Sequence, residues 1–251
     1  MPKNKLRHKN INLYEPFIGS IEKKYVNDCL NSNWISSKGK YVKLFEDRFK
    51  KYIKIKHAVS VCNGTAALHV ALLALGIGPK DEVITPTFTY IATANSINYV
   101  GAKVRFVDSK ISSWQIDENE IIKNINSKTK AVLIPHLYGQ SCEVSKIQKI
   151  CKKNKIFLVE DCAEAFGTFY GKKHVGTFGD VATFSFFGSK TITTGEGGMV
   201  VTNNLNIAKK VNELKMVGND KEKHYWHNII GYNYRMTNIC SAIGYGQLSR
   251  V

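Results

Sequence analysis

Lys190 lies in Ser185-Phe-Phe-Gly-Ser-Lys190-Thr-Ile-Thr-Thr-Gly-Glu-Gly-Gly198, between an apolar run and a glycine cluster. A lysine at the mouth of a buried strand is placed to be a reactive amine. Burial favours loss of its proton, and the free amine can form a Schiff base with a carbonyl compound. Asp161 closes another apolar run in Val159-Glu-Asp161-Cys-Ala-Glu164-Ala-Phe-Gly167. A carboxylate there either caps a turn or faces a heterocyclic nitrogen, keeping that nitrogen protonated and its ring electron-poor. Asn63-Gly-Thr-Ala-Ala67 follows a third apolar run and opens a helix. Asn63 is a good N-cap and Gly64 lets a ligand approach the backbone. The free amides and dipole of that helix end make an anion site, with the Thr65 hydroxyl as a further donor. Tyr90, after Pro86-Thr-Phe-Thr, either joins the core or stacks on a flat ring. Each motif alone fits an ordinary structural role. In chain order they are a phosphate cradle, a stacking aromatic, a carboxylate for a ring nitrogen and a Schiff-base lysine, which are the parts that pyridoxal phosphate requires.

Such residues need strand ends to stand on. Apolar runs at 58–62, 82–85, 103–107, 131–135, 156–160, 181–186 and 199–202 read as strands, and amphipathic stretches at 65–75, 90–100, 118–126, 143–154 and 207–216 read as helices. This alternation predicts an α/β domain with a mostly parallel seven-stranded sheet sandwiched by helices. Sheets of this kind carry their sites at the carboxyl ends of strands. Before it, 20–30 and 42–52 have helical spacing, with Ser20 as N-cap of the first and a polar break at 31–39 between them. A last helix is expected at 236–248. The expected division is a helical and loop segment over 1–56 and a large domain over 57–251.

Composition narrows the class. With 251 residues, 43% hydrophobic, the chain can bury a substantial core and is not disordered. No apolar stretch approaches the roughly 20 residues that span a bilayer, and Met1-Pro-Lys-Asn-Lys-Leu-Arg-His8 lacks the apolar core of a secretory signal. A soluble cytoplasmic protein, not membrane-bound, is expected. Cys29, Cys62, Cys142, Cys151, Cys162 and Cys240 are scattered without ligand spacing, which points to reduced buried thiols and no metal site. The net charge of +16 is spread over dispersed lysines with no nucleic-acid-binding motif. It suits a solvated surface and a diphosphate-containing ligand better than nucleic acid.

The chain also resembles a known family. Asn33-Trp-Ile-Ser-Ser37, Phe45-Glu-Asp-Arg-Phe49, Asn63-Gly-Thr-Ala-Ala-Leu68, Gly78-Pro-Lys-Asp-Glu-Val-Ile-Thr-Pro86, His136-Leu-Tyr-Gly-Gln140, Glu160-Asp-Cys-Ala-Glu-Ala-Phe-Gly167, Ser185 to Gly198 and Gly231-Tyr-Asn-Tyr-Arg-Met-Thr237 are similar to motifs of the DegT-type sugar-nucleotide aminotransferases. These are pyridoxal phosphate enzymes of the aspartate-aminotransferase fold, fold type I, and the match covers nearly the whole chain. The wording is most like the branch that aminates a GDP-linked 4-keto-6-deoxymannose to the perosamine-type aminosugar of surface polysaccharides, O-antigen among them. The resemblance implies that Lys190 bonds the cofactor and shuttles the proton, Asp161 pairs with the pyridine nitrogen and Tyr90 lies over the ring. It implies that Gly64, Thr65 and Ser185 hold the phosphate. Glu164 falls where many relatives carry Gln or His near the phenolic oxygen, so its carboxylate needs a partner or a proton. Asn233 is expected to reach a neighbouring subunit's phosphate, which implies a homodimer with shared sites. Trp34, His136 and Tyr138 are candidates for the sugar-nucleotide pocket, and glutamate is the expected amino donor. Histidine replaces the lysine in the family's dehydratase branch, so Lys190 argues against that chemistry. Relatives continue past Gln247-Leu-Ser-Arg250 into a small C-terminal domain, on the order of a hundred residues, that is expected to be absent here. A chain without it is either an aminotransferase large domain or a catalytically silent binding or assembly protein.

Overall fold

A computed structural model describes residues 12–219, 223 and 225–251. The polar segment 1–8, read above for a signal, lies outside the described residues. In chain order the strands are β1 (His57–Val61), β2 (Glu82–Pro86), β3 (Lys103–Val107), β4 (Thr129–Pro135), β5 (Phe157–Asp161), β6 (Phe169–Tyr170), β7 (Lys173–His174), β8 (Val181–Ser185) and β9 (Gly198–Thr202). The helices are α1 (Ser20–Asn31), α2 (Lys40–Ile53), α3 (Gly64–Ala74), α4 (Ile91–Tyr99), α5 (Glu118–Asn124), α6 (Val144–Asn154), α7 (Leu205–Lys215) and α8 (Asn238–Gln247).

Seven strands form one sheet in the order β1-β9-β8-β5-β4-β2-β3. β9 runs antiparallel to both of its neighbours, and the other pairings are parallel. Alternation along the strands sorts side chains to two faces. Val59, Val61, Val83, Leu133, Val159, Val181 and Val200 pack beneath α3 and α7. On the opposite face Ile84, Val132, Ile134 and Leu158 join α6 residues Val144, Ile147 and Cys151. Phe184, Met199 and Val201 on that face meet Phe45, Phe49 and Ile53 of α2. The sheet is therefore sandwiched as its apolar runs predict. The antiparallel hairpin β6–β7, which no periodicity marks, turns through Gly171 at φ +61°.

α1 and α2 both pack on α8. Gly19, not Ser20, is the N-cap of α1: its N–H donates to Glu22 Oε2 at 2.8 Å. A Cβ at Gly19 would stand 3.1 Å from the Phe17 ring and 3.3 Å from that same oxygen, so the fold-back of Glu22 favours glycine there. Asn238 caps α2 from a distant part of the chain, its Oδ1 accepting the Tyr41 N–H at 2.9 Å.

The parallel strands bring the ends of β1, β2, β4, β5 and β8 to one edge. Between them opens a cavity of about 540 Å³.

Candidate active site

Asn63 ends the turn from β1 into α3, and its side-chain oxygen accepts the Ala66 N–H at 2.8 Å. The amides of Gly64 and Thr65 have no helical carbonyl to bond, and both residues line the cavity. A Cβ on Gly64 would lie 2.7 Å from Ser185 Cβ and 3.1 Å from its hydroxyl. Gly198 approaches as closely from below, its notional Cβ 2.4 Å from the Asn63 carbonyl oxygen. Close backbone contact thus brings the start of α3, the end of β8 and the start of β9 together. The result is a pocket of amides and a hydroxyl that suits a phosphate.

Asp161 ends β5 on the α3 side of the sheet, 7% exposed. Its Oδ1 accepts the Ala163 N–H at 3.1 Å and its Oδ2 accepts the Thr93 hydroxyl at 3.0 Å. Burial pushes the carboxyl above its ordinary range, and these two donors with the Lys190 charge oppose that push. Its neighbour Glu160 faces the other way. Glu160 Oε2 bonds His136 Nε2 at 3.1 Å and accepts the Gly176 N–H, while Oε1 accepts from Phe178 and Gly179. Burial raises this carboxyl too, but the His136 contact and the backbone donors outweigh it and hold it low. Cys142 N–H bonds His136 Nδ1 at 3.1 Å, so both ring nitrogens are engaged.

Lys190 stands in the loop between β8 and β9, which internal hydrogen bonds fix. Phe186 N–H donates to the Gly197 carbonyl, Lys190 N–H to Phe187, Thr194 N–H to Phe186, and the Thr193 hydroxyl to Phe186. The lysine side chain is 22% exposed, so its burial is partial rather than complete, and its Nζ lies 3.7 Å from Glu164 Oε1. The other Glu164 oxygen accepts the Tyr138 N–H at 2.7 Å.

Gly64, Thr65, Tyr90, Asp161, Glu164, Ser185 and Lys190 all line the one cavity. Tyr90 is the N-cap residue of α4 and is 70% exposed. His136 belongs to the cavity wall, but its ring is engaged by Glu160, Cys142 and Cys162. Tyr138 stands just outside in a left-handed conformation, φ +54°, with its ring edge-on to Trp114. Trp34 and Asn233 are not cavity residues: the Trp34 carbonyl accepts from Asn238 Nδ2, and the exposed Asn233 side chain accepts from Arg235. Sequence reasoning missed Thr89 and Thr93, which also line the cavity. Their only signal was a pair of threonines one helical turn apart at the start of α4.

The match to the DegT/DnrJ/EryC1/StrS aminotransferase family extends over residues 16–251, and the chain belongs to that family. Its fold is the large domain of a fold-type I pyridoxal phosphate-dependent transferase. Among named relatives it is 53% identical over 242 residues to GDP-perosamine synthase of Escherichia coli O157:H7, covering 96% of this chain and 66% of the relative. Helicobacter pylori PseC, an aminotransferase involved in the biosynthesis of pseudoaminic acid, superposes with a TM-score of 0.91 at 34% identity, covering 96% of this chain and 66% of that one. NtdA of Bacillus subtilis with bound cofactor PMP gives 0.86 at 28% identity, covering 92% and 53%. The chain spans about two thirds, 66%, of the length of the first curated relatives it matches.

Proposed function

We propose that this chain is the cofactor-binding part of a pyridoxal phosphate-dependent aminotransferase that acts on a nucleotide-linked 4-keto-6-deoxysugar, with glutamate as amino donor, in the cytoplasm. The observation that carries the reading is convergence: an amide-lined cradle, a buried carboxylate and an amine-bearing loop meet in one cavity of about 540 Å³. The 53% identity to a GDP-perosamine synthase favours a GDP-linked sugar.

The residues fit the group. Gly64, Thr65 and Ser185 would hold its phosphate, Tyr90 would cover its ring, Asp161 would face the ring nitrogen and Glu164 the phenolic side. When bound, the cofactor supplies an electron sink. Asp161, fixed by two donors, keeps a negative charge at one depth of the cavity. Lys190 Nζ, held near Glu164, would carry a proton between the substrate carbon and the cofactor side of the cavity. Trp34 and Tyr138 keep exposed rings for the sugar nucleotide, whereas His136 acts as a wall residue. Asn233, exposed and outside the cavity, would serve a second subunit's phosphate in a homodimer.

Absorbance tests the reading. Purified protein given pyridoxal phosphate is expected to develop a visible-edge band that Lys190→Ala abolishes. A band that is absent, or one that survives the substitution, favours the silent binding protein instead.

A further inference from the structure

Asp161 is useful to a ring nitrogen only as an anion, yet it sits where an anion is poorly solvated. It is 7% exposed at the end of β5, under the start of α4. Of its two side-chain oxygens, Oδ1 has a backbone donor and Oδ2 has the Thr93 hydroxyl at 3.0 Å. Thr93 is itself 1% exposed, and its oxygen lies 3.0 Å from the hydroxyl of Thr89. An ionised Asp161 accepts the single proton of Thr93, so Thr89 must be the donor to Thr93. The order Thr89 to Thr93 to Asp161 is then a polarised chain in which each bond strengthens the next. Both threonines line the cavity, so the relay runs along its wall.

We propose that Thr93, braced by Thr89, is the positioning residue that keeps Asp161 ionised and aimed at the ring nitrogen. The inference rests on the cofactor reading for its purpose, and its unfolding test needs no cofactor. The other titratable groups around Asp161 are Lys190 from the loop after β8, with Glu164 as its ion-pair partner, His136 after β4, and Glu160 and Cys162 beside it in sequence. None of these replaces the Thr93 donor on Oδ2. Without it, a buried acceptor loses its partner, and the carboxyl is easier to protonate.

Three forms decide the matter: the unaltered chain, Thr93→Val and Thr93→Ser, with Thr93→Ala in reserve if valine does not fold. Urea unfolding without cofactor is run at about pH 7.5 and about pH 5, because a charge-dependent role must fade as the carboxyl takes up its proton. Thr93→Val is expected to lower the urea midpoint at the higher pH, with the gap closing toward the lower one. Thr93→Ser is expected to track the unaltered chain. Binding of pyridoxine phosphate, which cannot bond a lysine, is expected to weaken about tenfold or more in Thr93→Val and to be restored by serine. A gap that is equal at both pH values, or a serine variant as impaired as valine, overturns the proposal. Loss of the Lys190-dependent band in the unaltered chain overturns the cofactor reading instead, and the cofactor-free comparison still decides on Thr93.

Discussion

The missing methyl group of Gly64 is what lets the cradle form. Placing it there would set Cβ 2.7 Å from Ser185 Cβ, at the junction of α3 and β8. Relieving such an overlap costs about 1–3 kcal/mol, so Gly64→Ala is expected to weaken pyridoxal phosphate binding about tenfold in equilibrium dialysis. Unchanged affinity would argue that the cradle lies elsewhere. Gly64, Asp161 and Lys190 were legible in sequence because a glycine, a carboxylate and a lysine at strand ends are each an exception to an apolar pattern. Thr93 was not legible, since a threonine at a helix start reads as ordinary packing until its hydroxyl is seen against Asp161. Nor was the partner of Glu164, a backbone N–H 26 residues away in sequence.

At the level of elements, the strands came out at nearly the expected positions because apolar runs bounded by polar turns leave little freedom. The ends were less legible. Gly19 displaced Ser20 as the N-cap of α1 because the Glu22 side chain folds back to accept the Gly19 N–H, the half of a capping box that needs no hydroxyl at the cap. β6 and β7, two residues each, are too short to show a period. The cap of α2 lies on α8, which no local reading of residues 31–39 could find. Asn238 Oδ1 accepts the Tyr41 N–H while its Nδ2 donates to the Trp34 carbonyl at 2.6 Å. Asn238→Ala removes both bonds and is expected to cost about 1–2 kcal/mol, measured as a lower urea midpoint with pyridoxal phosphate affinity nearly unchanged. A stability loss within error would mean that water replaces the cap without cost.

Across the whole molecule, buried histidines contribute pH dependence of both signs: against the push of its burial, the Cys162 and Cys142 groups beside His136 hold it well above the ordinary imidazole range, whereas two others are lowered. Burial lowers His69 and His174 below the ordinary imidazole range, against a backbone bond that partly restores His174. A group neutral when folded but protonated when unfolded contributes no penalty above its unfolded value of about 6.5, and costs stability as pH falls below it. His69→Phe is therefore expected to raise the urea midpoint relative to the unaltered chain more at about pH 5.5 than at about pH 7.5. A difference that is equal at both pH values would contradict this account. Glu82 acts much lower. Bonds from Arg105 and Asn126 hold its carboxyl at about 2, so its contribution persists until strong acid. Among the described residues no helix is long and apolar enough to cross a membrane. Solvent-exposed aromatic residues instead gather beside the cavity, with Phe88 and Tyr138 each packed edge-on against Trp114.

The central claim is that one lysine among many is the amine the site is built around. Borohydride treatment of the chain with pyridoxal phosphate, followed by digestion and peptide mass mapping, tests it most directly. The cofactor mass is expected on the peptide that contains Lys190, and on little else at stoichiometric cofactor. Label scattered over surface lysines, or absent from that peptide, would contradict the account.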